Sequence, residues 1–494
     1  MKKSIILLST IAAFSTASFG NDINAQMYEQ IQLLKKQVAA LEAKMNEQAS
    51  KTDDKRITKI EKKLAKVSKK ANLAKAQSAG DNLKWNVDFR TQVDNITYKL
   101  GNGKKVKNEA VLSNRLWLGM KYKADENSIF YGTLSYNKLY GDNSSTTDNQ
   151  SGFDWVTNES ATNDNEIKLK EAYWLYTNDT FMGTNVPWTV SVGRRPSTDG
   201  LGINYRADQN RKSALSHTVN VEFDGASAKF NLDKVGGLDG SWIKFCVGRG
   251  LTNSKLRFSN DGLDYTKDSS TQNIDMAGLI AVPYDDGQYS IHMNYAKAWN
   301  LIGLEDRAGG APDGAPDGEF TDFGDMEFFT TMVKVDGIGD GISDWLDNTT
   351  VFASYAQSKT NPDGGNSMLG SSKSERGHSI WIGANAPCPI SPDNAKIGIE
   401  WNKGSKYWRS MTYAEDTMAG SKIATRGQAW EIYRNQKLTK ALSFGLSYVH
   451  MDYDYTGSNG FFGDLGAPID SDSVAAASAV KSAQNASAYL KYKF

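Results

Sequence analysis

The chain has 494 residues, 57 Lys or Arg balanced by 57 Asp or Glu, only two cysteines, and a mean hydropathy of −0.53. After Gly20 no apolar run approaches the ~18 residues that a membrane-spanning helix requires, which excludes a helical membrane protein. Two cysteines and four histidines, without C-x-x-C or helical metal spacing, exclude a disulfide scaffold, a Cys-rich zinc site and covalent haem, so neither a metal nor a cofactor is expected.

The first element is an export signal. Lys2 and Lys3 precede an apolar run from Ile5 to Phe14, and Ser18-Phe19-Gly20 forms a small-residue cleavage site before Asn21. Residues 1–20 therefore read as a signal peptide. No cysteine stands beside the cleavage site, which argues against a lipoprotein anchor.

Residues 21–80 carry two heptad seams. Met27, Ile31, Leu34, Val38, Leu41 and Met45 form one, and Ile57, Ile60, Leu64, Val67, Ala71 and Ala74 the other. The two are out of phase across the polar stretch 46–56, so the helix either continues through an irregularity or folds back. A narrow apolar seam on a lone helix leaves its stripe unburied. The spacing thus predicts a coiled coil and self-association into a homo-oligomer, whose stoichiometry stays open. The second seam is strongly basic: Lys55, Arg56, Lys59, Lys62, Lys63 and Lys66 are balanced only by Glu61. A solvated helix face explains this, and so does contact with lipid head groups or an anionic envelope polymer such as peptidoglycan. Nucleic acid is not expected for an exported chain.

Charge divides with these segments. Residues 1–80 hold 15 basic and 7 acidic side chains, which leaves 42 basic and 50 acidic in residues 81–494. A basic stalk precedes an acidic body, and that body predicts a mild preference for cations.

From Lys84 onward the chain repeats one theme, an alternating segment followed by a turn or a polar loop. Leu83, Trp85, Val87 and Phe89 alternate with Lys84, Asn86, Asp88 and Arg90; Leu116, Leu118, Met120 and Tyr122 alternate with Arg115, Trp117, Gly119 and Lys121. Ala172, Trp174 and Tyr176 share a face, as do Trp188, Val190 and Val192. Further segments cover 129–138, 218–224, 226–232, 241–249, 273–282, 288–298, 325–335, 348–358, 378–386, 395–402, 407–413, 427–436 and 442–453. The chain ends on Phe494, and Tyr492, Leu490, Ala488 and Ala486 share its face, whereas Lys493, Lys491, Tyr489, Ser487 and Asn485 form the other. The pattern predicts an all-β, transmembrane antiparallel β-barrel of 16 to 18 strands over residues 81–494. Leu490, Tyr492 and Phe494 would face outer-membrane lipid and form a membrane-insertion signal. The last strand would pair with the first, near Lys84–Arg90, to remove both sheet edges, which sets the coiled coil at the periplasmic mouth. Cys246 and Cys388 lie far apart, and their spacing alone does not show whether they pair.

Chemistry-bearing constellations are few. His450 with a distant Ser and an Asp or Asn could serve a membrane lipid hydrolase. Asp-rich stretches at 317–327 and 336–347 lack any EF-hand pattern. No catalytic residue is assigned, and an enzyme is not expected. The strongest site signal is the exit of a strand through Val192-Gly193-Arg194-Arg195-Pro196 into a loop that adds Asp199, Arg206, Arg211 and Lys212. Folded into the lumen, Arg194, Arg195, Asp199, Arg206 and Arg211 would form a pore constriction.

Several runs resemble a known family: Gly193-Arg194-Arg195-Pro196-Ser197-Thr198-Asp199-Gly200, Glu400-Trp401-Asn402-Lys403-Gly404-Ser405-Lys406-Tyr407-Trp408, Ala424-Thr425-Arg426-Gly427, and Tyr453-Asp454-Tyr455-Thr456-Gly457-Ser458 with the terminal Phe494. The chain resembles porin-like outer-membrane β-barrels of unknown function from Gram-negative bacteria that carry an amino-terminal coiled coil. The resemblance implies a barrel in the outer membrane with its amino-terminal segment in the periplasm, and it assigns no residue a role. A looser likeness is to trimeric anion porins with amino-terminal helices, whose basic lumen ladder is not recognisable in the sequence. The expected function is a channel for passive diffusion of small hydrophilic solutes or ions. The alternative is a plugged structural barrel whose coiled coil tethers the outer membrane to the periplasm.

Overall fold

The computed structural model describes Lys36, Ala39 and residues 83–141, 167–196, 200–268, 272–304, 320–339, 341–412, 417–460 and 462–494. The chain divides into two units, Met1–Lys84 and Trp85–Phe494. Lys36 and Ala39 are helical; otherwise the signal peptide at 1–20 and the coiled coil at 21–80 lie outside the described residues.

The strands in chain order are β1 (Leu83–Leu100), β2 (Lys105–Lys123), β3 (Ser128–Leu139), β4 (Ile167–Asn178), β5 (Trp188–Pro196), β6 (Gly200–Leu201), β7 (Lys212–Leu215), β8 (Glu222–Asn231) and β9 (Trp242–Leu251). They continue as β10 (Ile274–Asp285), β11 (Tyr289–Leu304), β12 (Phe320–Asp336), β13 (Thr350–Pro362), β14 (Arg376–Pro387), β15 (Ala395–Gly404), β16 (Gly427–Lys437), β17 (Leu442–Tyr453) and β18 (Val480–Lys493). All but β6 and β7 form one closed antiparallel barrel of 16 strands, each paired with its neighbour in the chain. β18 closes it on β1, in a register that runs from Asp88↔Lys493 to Leu100↔Val480. Closure leaves no unpaired strand edge, which is the condition for a sheet in lipid.

The period-2 pattern sets the two faces. On β2, Ser113, Arg115 and Trp117 are buried, Asn114 and Leu116 between them are partly exposed, and Leu112 and Tyr122 on either side are exposed. On β18, Tyr489 and Lys491 are buried and Leu490, Tyr492 and Phe494 are exposed. Outward positions elsewhere carry Phe89, Trp174, Val247, Ile399, Trp430 and Ile432, a continuous apolar belt that in water would be an aggregation surface and in a bilayer is the lipid face. Ile432→Lys is therefore expected to destabilise the barrel by about 2–4 kcal/mol if its position lies at the bilayer midplane. Urea unfolding in lipid vesicles measures it, and an unchanged midpoint would show that this face does not meet hydrocarbon.

The two ends differ. Turns at 124–127, 286–288 and 438–441 share one end with the start of β1 and the end of β18. The connections 197–221, 252–273, 405–426 and 454–479 all emerge at the other. Two expected strands are absent from the barrel. Residues 218–221 precede β8, which itself covers 222–231, and 407–412 lie in the connection after β15. Both stretches are buried apart from the partly exposed Tyr407, and they meet in a parallel bridge, Val219↔Met411. They alternate because they pack in the interior, not because they cross the membrane. Conversely, β1 and β2 extend well past their recognised cores: at Lys105–Ala110 both faces are exposed, so no alternation marks the strand.

Candidate functional site in the barrel lumen

A connection between barrel strands is buried in one place only, the lumen. Residues 200–204, 214–221, 408–412 and 419–426 are nearly all buried, so two long loops fold inward. The first carries the short β6–β7 pair and a helical turn at Ile203–Arg206. Its Leu201, Ile203 and Leu215 pack against Met332 of β12, Phe352 of β13, Trp381 of β14 and Ile423 of the second loop. His217 pins it to the wall. Its Nδ1 lies 2.8 Å from Ser354 Oγ and its Nε2 2.9 Å from Ser379 Oγ, with Trp381 and Trp408 edge-on to the ring. Burial pushes the imidazole down to about 3, so it is neutral at pH 7 and donates through one nitrogen while accepting at the other. Thr218 Oγ1 meets Thr330 Oγ1 at 2.6 Å, and the two loops exchange backbone bonds, Asn220 N to Met411 O and Met411 N to Thr218 O, both 2.8 Å.

The second loop is held by charge. Glu400 on β15 and Glu431 on β16 are directly opposite, an arrangement that repels. Lys422 lies between them, 2.5 Å from Glu400 Oε2 and in contact with Glu431 Oε2, and all three side chains are shut off from solvent. Arg206 of the first loop adds a guanidinium 3.6 Å from Glu431. Arg426 then ties two connections together, 405–426 and 454–479. Its Nε donates to Trp408 O at 2.8 Å, and its Nη1 donates to Thr456 O at 2.9 Å and Gly466 O at 2.6 Å.

The loops do not fill the lumen. A cleft with about 550 Å³ of empty space, counting its open mouth, remains between Arg206, Ala207 and Thr417 of the loops and Arg90, Glu431 and Tyr489 of the wall. Asn435 Nδ2 donates to Tyr205 O and Arg206 O, and Lys491 Nζ donates to Ala207 O, so the wall of this cleft also fixes the helical turn.

Residues 105–494 match a family described as "Protein of unknown function (DUF3373)". The chain belongs to that family. No curated protein matches it. Among solved structures it is similar to OmpT of Vibrio cholerae in its trimer form, at 12% identity over 83% of this chain and 99% of that one, with a TM-score of 0.43. It is also similar to OmpF of Salmonella typhi in complex with daunomycin, at 11% identity over 84% and 99%, TM-score 0.46, and to OprB of Pseudomonas putida, at 11% identity over 85% and 96%, TM-score 0.47. These likenesses extend to barrel architecture alone.

Within this DUF3373 chain the arginines expected at the constriction separate. Arg194 lies 3.4 Å from Glu222, which also binds Lys170 at 2.5 Å, and 3.6 Å from Asp224. Arg195 turns to Ser191 Oγ, 2.6 Å away, and covers the Tyr173 ring at 4.1 Å. Arg206 meets Glu431, and the Arg211 charge acts on Lys229 and His292. Asp199 lies outside the described residues. Lys422, Glu400, Glu431 and Arg426 were not singled out as site residues. A signal existed for Glu400: an acid between outward Ile399 and Trp401 must point into the lumen, where it requires a cation. Cys246 and Cys388 are both free. His450 bonds Asp452 through Nε2 at 2.9 Å while its Nδ1 meets no partner, so this histidine holds no serine hydroxyl. Among the described residues no cluster of His, Cys, Asp or Glu is arranged to hold a metal ion.

Proposed function

We propose that this protein is an outer-membrane channel for passive diffusion of small hydrophilic solutes, narrowed by its inward loops, with the short-turn end facing the periplasm. The observation that carries this reading is the polar cleft left open inside a closed barrel, lined by Arg90, Arg206, Thr417 and Glu431. The outward apolar belt supports the membrane location, and the asymmetry of short turns and long loops supports the orientation. Because the loops occupy one side of the lumen, the expected conductance is small for a barrel of this size. Purified protein in a planar bilayer tests it: discrete conductance steps are expected, and their absence at any voltage would remove the channel.

A second reading has its own support. The loops pack onto the wall through apolar clusters around Met326, Phe328 and Met411, and around Trp381 and Ile423, as a plug would. A plugged barrel would show no steps yet keep its heat stability. In that reading the amino-terminal segment acts as an oligomeric tether to anionic envelope polymer. Deleting residues 21–80 would then loosen envelope attachment without changing permeability.

A further inference from the structure

The inner wall is not uniform around the barrel. On β12 to β16 the inward Phe328, Met332, Ala356, Trp381 and Ala429 are shut off from water by the loops. On β3 to β9 water reaches inward positions including Tyr131, Tyr173, Arg195, Lys229 and Cys246. Gly193, Gly225 and Gly248 stand side by side across β5, β8 and β9, so one row of this wall bears no side chains. This side therefore offers solutes a route of its own, besides the cleft between the loops and β1, β16 and β18.

Over the inward positions of β5, β8 and β9 that follow, its charge has one sign. No inward position between Thr189 and Arg195, Gly225 and Lys229, or Trp242 and Gly248 is an acid. Lys229 and Lys244 are directly opposite on β8 and β9, a like-charge pair in which Lys229 is reached by water and Lys244 is buried. Lys229 is held over the Trp242 ring at 4.3 Å and Arg195 over Tyr173 at 4.1 Å. Tyr173 in turn stacks on Tyr131 at 5.2 Å, with Lys121 over the far ring at 5.3 Å. The rings fix where the cations sit and leave N–H groups directed at the lumen. The carboxylate of Glu171, inward on the adjoining β4, accepts from Thr133 Oγ1 at 3.2 Å.

We propose that this wall is an anion-selective site, in which Arg195, Lys229 and Lys244 draw small carboxylates and phosphates through the lumen. The inference rests on the channel reading for its physiological meaning but not for its test. Net charge on the body pointed to cations, yet what a pore selects is set by the groups that line it.

Cys246 lies on the same wall, inward on β9 between the positions of Lys244 and Gly248, and serves as a native probe. In full-length protein carrying Cys388→Ser, the thiol is labelled by an anionic sulfonatoethyl or a cationic trimethylammonioethyl methanethiosulfonate. Each forms a mixed disulfide and releases methanesulfinate. Rates are normalised to those of each reagent with a small thiol in solution. The expected result is a several-fold preference for the anionic reagent, falling towards parity in Lys229→Gln/Lys244→Gln. Parity or a cationic preference in the parent overturns the inference, and so does failure of both reagents to react, which would mean a dry wall. Bilayer recording separates the two claims. Conductance without anionic preference in labelling sinks the site and leaves the channel; anionic preference in a barrel that never conducts keeps the site and removes the channel.

Discussion

Replacing Lys422 by methionine is expected to drive the 405–426 loop out of the lumen and raise conductance several-fold. The side chain is 1% exposed and stands between Glu400 and Glu431, which are 1% and 0% exposed. Methionine keeps the volume and removes the only ammonium between two carboxylates that face each other across β15 and β16. Removing one partner from a buried ion pair costs about 3–5 kcal/mol, because the remaining charge keeps its desolvation penalty. Arg206, 3.6 Å from Glu431 and acting on Glu400 as well, offsets part of this loss. The barrel has a way to avoid that penalty that a globular core lacks: the loop withdraws and water enters. Strand pairing is untouched, so the variant should still assemble while conducting more. Adding Glu400→Gln and Glu431→Gln to the same chain should bring the loop back, since the amides carry no charge to strand. A variant with unchanged conductance and unchanged thermal unfolding would show that the triad does not hold the loop.

The barrel was legible in the chain because each strand states its two faces locally. Leu116, Leu118, Met120 and Tyr122 name the lipid side of β2 without reference to any other strand. The same rule misread 218–224 and 407–413. Val219 and Val221 alternate with Asn220 and Glu222, but the valines pack in an interior apolar cluster while Glu222 meets Lys170 and Arg194, so alternation reports burial and not membrane crossing. The site was less legible. Arg194 and Arg195 are adjacent and conspicuous, yet they face different partners. Glu400, Lys422 and Glu431 are far apart in the chain, and only strand pairing with loop insertion brings them together. Net charge is a poor guide to the lumen for a related reason. Asp125, Asp261, Asp264 and Asp286 lie in turns, where their carboxylates accept backbone N–H bonds and contribute nothing to the lumen. Three of the runs that carry the family resemblance share a physical role: Trp408, Arg426, Thr456 and Ser458 are parts of the knot that keeps the loops inside.

Gly202→Ala should open the other side of the plug, and by a steric route. Gly202 has φ +105°, a conformation that residues with a side chain rarely adopt, and a Cβ there would lie 2.1 Å from Cη2 and 2.5 Å from Cζ3 of Trp381. The indole cannot yield cheaply. It is fully buried, donates from Nε1 to Glu400 Oε2 at 3.0 Å, and packs edge-on against Phe352 at 4.9 Å and His217 at 5.6 Å. The loop must therefore move, and with it Leu201, Ile203 and Leu215, each worth about 1.5–3 kcal/mol of buried apolar surface. The expected result is higher conductance with a lower unfolding temperature. Gly103→Ala is the matching control, at φ +82° with nothing within 4 Å of the added methyl: it carries backbone strain without a clash and should leave conductance unchanged. The decisive comparison adds Trp381→Ala. If the clash is the cause, Gly202→Ala should have little further effect once the indole is gone, leaving only the backbone strain. Full additivity of the two substitutions in conductance and stability would mean that contact with Trp381 is not what holds the loop in place.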